Sequence, residues 1–261
     1  MKLKAKLYIF ILFVLLVSCA PQVKLARYSF VDTKITPQVQ EERDQIYMLT
    51  AYGVVLNDWQ EENENKRGHN IGSILVAPDG RIVNWARNCN ASLSNGTQHG
   101  EVRLMIGYLN RVGGYSLKDH TIYTTLEPCA QCSGMMTLCS IYRTVYGQTD
   151  PGFGKAIERL TLDSKKWNEK GYEPYPRKVI SDRSKSKYCD QLDKAYQQSG
   201  GSITKFLLTD QAKSIYTRAV QQLNCYQLKY PEENQSILEH AQQTLKNVRP
   251  GIPTICIKPK N

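Results

Sequence analysis

Two short segments constrain this chain more than anything else in it: His99-Gly100-Glu101, and Pro128-Cys129-Ala130-Gln131-Cys132. Each falls at the predicted start of a helix. Val102, Met105, Ile106 and Leu109 follow His99 at the offsets that bury one helical face, and Pro128 opens a second helix predicted to reach about Cys139. Strand-like runs surround them at 71–77 and 81–87, joined by the turn Pro78-Asp79-Gly80, and again at 121–126 and 143–148. Strands alternating with helices after an opening hairpin predict a layered α/β domain with a mixed sheet.

The two segments also predict chemistry. Cys129 and Cys132 stand three apart at a helix start, so both side chains emerge on one face within reach of a single ion. The positive helix end favours the thiolate that a metal requires. With His99 they make a set of borderline-soft donors suited to Zn²⁺. Three protein ligands leave a fourth position open, which separates catalytic from structural zinc, and water there ionises near pH 7 instead of about 15.7. Glu101, two residues past the histidine, is better placed to face that water than to ligate, and can take up and return its proton. A closed structural site would need a fourth ligand. Cys139 lies roughly 10 Å beyond Cys132 along the same predicted helix, and His120 reaches the ion only if the strand entry bends back.

Around this centre the 261-residue chain is 41% apolar and 22% charged, enough to bury one good core. The predicted organisation is a signal at 1–19, a tether at 20–35, a catalytic domain at 36–155, and a mainly helical extension at 156–261. The first nineteen residues combine a basic start, an apolar run too short to span a bilayer, and Leu16-Val17-Ser18-Cys19. They resemble a bacterial lipoprotein signal, which implies lipidation of Cys19, attachment to a membrane, and a body in the cell envelope facing the periplasm or exterior; the alternatives are an ordinary signal peptide or an uncleaved signal anchor, which also place the body outside the cytoplasm. The formal charge is +10, three units of it from Lys2, Lys4 and Lys6 in that signal. The basic excess favours anionic partners or simply aids solubility. Thr36-Pro37 predicts a helix start running to about Asp58. Further on, Tyr188, Leu192 and Tyr196, then Leu208, Ala212, Ile215, Ala219 and Leu223, predict two helices, and the tail with Pro231, Pro250 and Pro253 is expected to be irregular. Apart from Cys19 and the metal pair, five cysteines remain (Cys89, Cys139, Cys189, Cys225 and Cys256), with pairing left open.

The His-x-Glu and Pro-Cys-x-x-Cys segments are similar to the zinc signature of the cytidine and deoxycytidylate deaminase superfamily. The string Tyr123-Thr124-Thr125-Leu126-Glu127-Pro128-Cys129 and Val145-Tyr146-Gly147 with Asp150 resemble its tRNA-adenosine and deoxycytidylate branch. The resemblance covers about 40–155. It implies a three-layer α/β/α fold with a central sheet of about five strands, His99, Cys129 and Cys132 as zinc ligands, Glu101 as proton shuttle, and assembly as a homo-oligomer. It also implies that Asn88 contacts the base or sugar; the alternatives are a loop asparagine satisfying backbone groups, or Asn90 in that role. Glu127 is read as structural. Gly100 stands where alanine is usual, and Ala130 and Gln131 depart from the familiar pair. The expected function is zinc-dependent hydrolytic deamination of a small-molecule nucleobase, nucleoside or nucleotide. The alternatives are a deaminase acting on nucleic acid, for which the basic stretch 155–187 speaks, and a lipid-anchored binding module without turnover.

Overall fold

The computed structural model describes residues 35–61 and 67–251. Cys19 and the lipoprotein-like signal lie outside the described residues, as does Cys256. The element order is α1 (Pro37–Leu56), β1 (Gly72–Val76), β2 (Ile82–Arg87), α2 (Gly100–Val112), β3 (Thr121–Leu126), α3 (Ala130–Leu138), β4 (Arg143–Gln148), α4 (Ala156–Leu160), β5 (Ile180–Arg183), α5 (Lys187–Ser199), α6 (Ile203–Phe206), α7 (Asp210–Asn224) and α8 (Pro231–Asn247). The five strands form one sheet in the order β2-β1-β3-β4-β5. β1 is antiparallel to β2 and β3, whereas β3, β4 and β5 run parallel. This is the mixed α/β/α sheet expected.

Strand alternation divides the interior into two layers. On one face, Ile74, Val76, Tyr123 and Val145 pack with α1, α5, α7 and α8. On the other, Leu75 and Ile122 pack with Val102, Leu104 and Met105 of α2 and with Cys132 and Met136 of α3. The helix α1 is capped by Thr36, whose side chain accepts the Val39 N–H, with proline in the first turn. It is buried on nearly every side because α7 and α8 cover its outer face. The hairpin turn forms at Gly80, where φ is 82° and the N–H donates to the Ala77 carbonyl.

Two features depart from the sequence-based reading. The segment after residue 155 supplies β5, which pairs along β4 and completes the sheet; its residues Ile180-Ser181-Asp182-Arg183 lack an apolar alternation and so carry no strand signal. The tail expected to be irregular instead contains the 17-residue helix α8. Pro231 occupies the first turn, where its missing N–H is harmless and its fixed φ helps initiation. Asn234, Ile237, Leu238 and Ala241 form its buried stripe. The buried Glu42 carboxylate of α1 holds the helix entrance by accepting from Lys229 N, Tyr230 N and Asn234 Nδ2. Among the described residues, none of Cys89, Cys129, Cys132, Cys139, Cys189 and Cys225 is in a disulfide, and no helix is long and apolar enough to cross a membrane.

Candidate active site

The site forms where two helices begin on the same face of the sheet. His99 is the N-cap residue of α2 and Cys129 that of α3. Cys132 lies one turn into α3, so the two sulfurs come within 3.7 Å of each other. The side-chain amide of Gln131 donates to the Thr97 carbonyl at 3.0 Å, tying the start of α3 to the loop that carries His99. His99 Nδ1 thereby stands 3.6 Å from each sulfur.

These three distances test the fit of a metal. A tetrahedral zinc with bonds of about 2.3 Å to sulfur and 2.0–2.1 Å to nitrogen places its donors about 3.8 Å apart for two sulfurs and about 3.6 Å for sulfur and nitrogen. The donor triangle has the dimensions of one tetrahedral face. Among the described residues, this is the group of metal-binding side chains that converges; His120 instead stacks near Tyr108 and contacts the Lys118 carbonyl. The hydrogen bond with Cys132 draws the Cys129 thiol down to about 4, against its burial and with help from His99. The same bond and burial hold the Cys132 thiol well up.

Glu101 sits in the first turn of α2 and is 3% exposed. One carboxyl oxygen, Oε1, accepts from Thr124 Oγ1 at 3.0 Å, and Thr124 in turn accepts from Ser73 Oγ. The second, Oε2, is buried with no partner among the described residues. Burial pushes its pKa up, which favours a group that can both hold and release a proton. Asn88, just past the end of β2, accepts the Gly100 N–H on Oδ1 at 2.7 Å, satisfying a donor at the start of α2, while Nδ2 is buried with no partner among the described residues. Asn90 points elsewhere, its Oδ1 accepting from His69 N. Glu127 acts as the structural residue expected. Its carboxylate accepts from Asp150 N and Lys155 N and so fixes the loop after β4.

These side chains open onto a cavity of about 450 Å³. His99, Glu101, Asn88 and Cys129 line one part of it with Leu126, Glu127 and Asp150 of the motif strings, and the rest of the wall comes from residues to which the sequence reading gave no part in the site. His69 precedes β1, Phe153 stands on the loop after β4, and Tyr196, Ser202, Ile203 and Thr204 belong to α5 and α6. The one available signal for the last group was Gly200-Gly201-Ser202, two glycines with φ of 66° and 77° followed by a helix cap.

Residues 42–148 match the family model described as the cytidine and deoxycytidylate deaminase zinc-binding region. Over 107 residues the chain is 31% identical to the cytosine deaminase of Candida albicans, covering 41% of this chain and 69% of that one. It is 30% identical to the tRNA-specific adenosine deaminase of Bacillus subtilis over 112 residues, covering 43% and 66%. A similarity of 32% to the tRNA(Ile)-lysidine synthase of Deinococcus deserti spans 18% of that longer protein. A solved structure from a study of A-to-I editing by tRNA:A34 deaminases aligns at 29% identity and a TM-score of 0.34, covering 43% of this chain and 78% of that one. The matched zinc-binding region and the His-Cys-Cys triangle make Zn²⁺ the cofactor. On these grounds the chain belongs to the cytidine and deoxycytidylate deaminase family.

Proposed function

We propose that the protein hydrolyses the exocyclic amine of a nucleobase, nucleoside or nucleotide, replacing C–NH₂ by C=O and releasing ammonia. The observation that carries this reading is the buried Glu101 carboxyl beside the three metal donors, with no hydrogen bond to Oε2 among the described residues. His99, Cys129 and Cys132 would hold Zn²⁺, which would supply a water acidified to a pKa of about 7. Glu101 takes one proton from the attacking water and passes it to the ring nitrogen next to the reacting carbon, then takes the remaining hydroxyl proton of the tetrahedral adduct and gives it to the departing amine as C=O forms and the C–N bond breaks. Thr124 fixes the carboxyl by donating to Oε1, leaving Oε2 for this exchange. Asn88 Nδ2 is the donor for an oxygen or ring nitrogen on the substrate's edge. The reading is tested by ammonia release from the zinc-loaded protein against cytosine, adenine and guanine as bases, nucleosides, nucleotides and short RNA or DNA. A signal that vanishes in Glu101→Ala supports it; retention in that variant removes the role assigned to Glu101.

For location, the segment ending in Leu16-Val17-Ser18-Cys19 supports lipid attachment at Cys19 and an envelope enzyme. Cys19→Ala is then expected to release the protein from the membrane fraction, and unchanged fractionation would end that proposal.

A further inference from the structure

The family signature leaves the substrate open, but the cavity wall does not treat all candidates alike. Among the described residues, no lysine or arginine lines it. Its acidic residues beyond Glu101 are Glu127 and Asp150, both accepting backbone N–H groups as carboxylates do: Glu127 from Asp150 and Lys155, Asp150 from Gly152 and Phe153. Arg67, behind His69, is committed to Asp58 at 2.8 Å and to backbone carbonyls, and it is 4% exposed. A phosphate against this wall, away from the metal donors, would meet carboxylates with no lysine or arginine among the described residues to pair with it, an arrangement that costs binding steeply in a partly desolvated site.

The far part of the cavity carries neutral hydrogen-bonding groups instead. Ser202 Oγ and Thr204 Oγ1 are bonded to each other at 3.2 Å, a pair in which each hydroxyl can also donate or accept toward a ligand. His69 lines the same cavity, and its Nδ1 has no partner among the described residues. Burial, with His99 and Arg67 nearby, lowers the imidazole pKa. The two parts of this wall are rigidly joined. Asn70, next to His69 and fully buried, donates to the Leu207 carbonyl just past α6 at 2.9 Å and to the Gln60 carbonyl at 2.7 Å. Phe206 and Leu207 are themselves buried in the core.

We propose that the cavity takes an uncharged nucleoside: the base at Glu101 and Asn88, the sugar hydroxyls against His69, Ser202 and Thr204, and a 5′-phosphate excluded. This rests on the reading of the cavity as the deaminase site, and α5 and α6, which supply part of the selection, lie outside the family-matched residues.

The test is calorimetric titration of the full-length, zinc-loaded Glu101→Gln protein, which binds without turnover, with cytidine, adenosine and guanosine, their 5′-monophosphates, the free bases, and an RNA stem-loop. A nucleoside is expected to bind at least about tenfold more tightly than its 5′-monophosphate. Thr204→Val and His69→Phe are each expected to weaken nucleoside binding about 2- to 10-fold while leaving the free base unchanged. A monophosphate or the RNA binding as tightly as the nucleoside, a free base binding as tightly, or no nucleoside binding at all overturns the proposal. Nucleoside binding with that selectivity but no ammonia release by the unsubstituted protein would sink the deaminase reading and leave the assignment of the cavity standing.

Discussion

Replacing Asn88 separates the two jobs its amide performs. Asn88→Asp keeps an oxygen where Oδ1 accepts the Gly100 N–H at 2.7 Å and exchanges the unpartnered Nδ2 for a second oxygen. The cap on α2 survives, and a negative charge at a helix start contributes about 0.3–1 kcal/mol, which works against the cost of burying it. Asn88→Ala removes the acceptor as well, at about 0.5–2 kcal/mol by analogy with a lost N-cap. Both variants lose the donor aimed at the substrate's edge. A hydrogen bond of about 1.5–3 kcal/mol, the range when a charged or fully desolvated partner is left, corresponds to a drop of about 10- to 150-fold in kcat/KM. Chemical denaturation, zinc content and steady-state ammonia release on both variants make the comparison. The expected pattern is zinc retained in both, activity lost in both, and stability better kept in Asp than in Ala. Unchanged kcat/KM in Asn88→Asp, or a larger stability loss there than in Asn88→Ala, refutes the division of roles.

Cys129→Ala or Cys132→Ala is expected to lose both zinc and cooperative unfolding at the original temperature, because metal binding and folding are coupled at such sites; elemental analysis and calorimetry check it. A Cβ at Gly154 would press into the Glu127 carboxylate and the Asp150 carbonyl. Gly154→Ala should therefore cost about 1–3 kcal/mol and reduce activity by displacing the loop after β4, measured by urea titration and ammonia release. Ile237→Ala, at a fully buried position of α8, should cost about 2–5 kcal/mol; a change below about 0.5 kcal/mol would contradict the packing of α8 onto α1.

The metal donors and Glu101 were legible in the sequence because their geometry is local. Two helix starts carry them, and the three-residue spacing of Cys129 and Cys132 converts directly into proximity. Strands β3 and β4 were legible for a similar reason, as short β-rich runs between turn residues. The rest of the cavity was not, since nothing local marks it. His69 is one polar residue in a loop, and Ser202 and Thr204 reach the site through the bond from Asn70 to Leu207. Strand β5 escaped because an edge strand with one exposed face needs little apolar alternation, and α8 because prolines around it read as irregular until Pro231 is placed at a helix start. Asn88 was half legible: the family resemblance implied a substrate contact, with a loop asparagine satisfying backbone groups as the alternative, and the structure shows the backbone bond, from Gly100 N–H to Oδ1.

The central claim is that zinc and Glu101 act together, the donors holding the ion and the carboxyl moving the proton. Zinc stoichiometry and ammonia release should be measured on the same preparations of the unsubstituted protein, Glu101→Gln and Cys129→Ser. The account predicts one zinc and turnover in the first, one zinc and no turnover in the second, and neither in the third; ammonia release by Glu101→Gln, or by a preparation free of zinc, would contradict it.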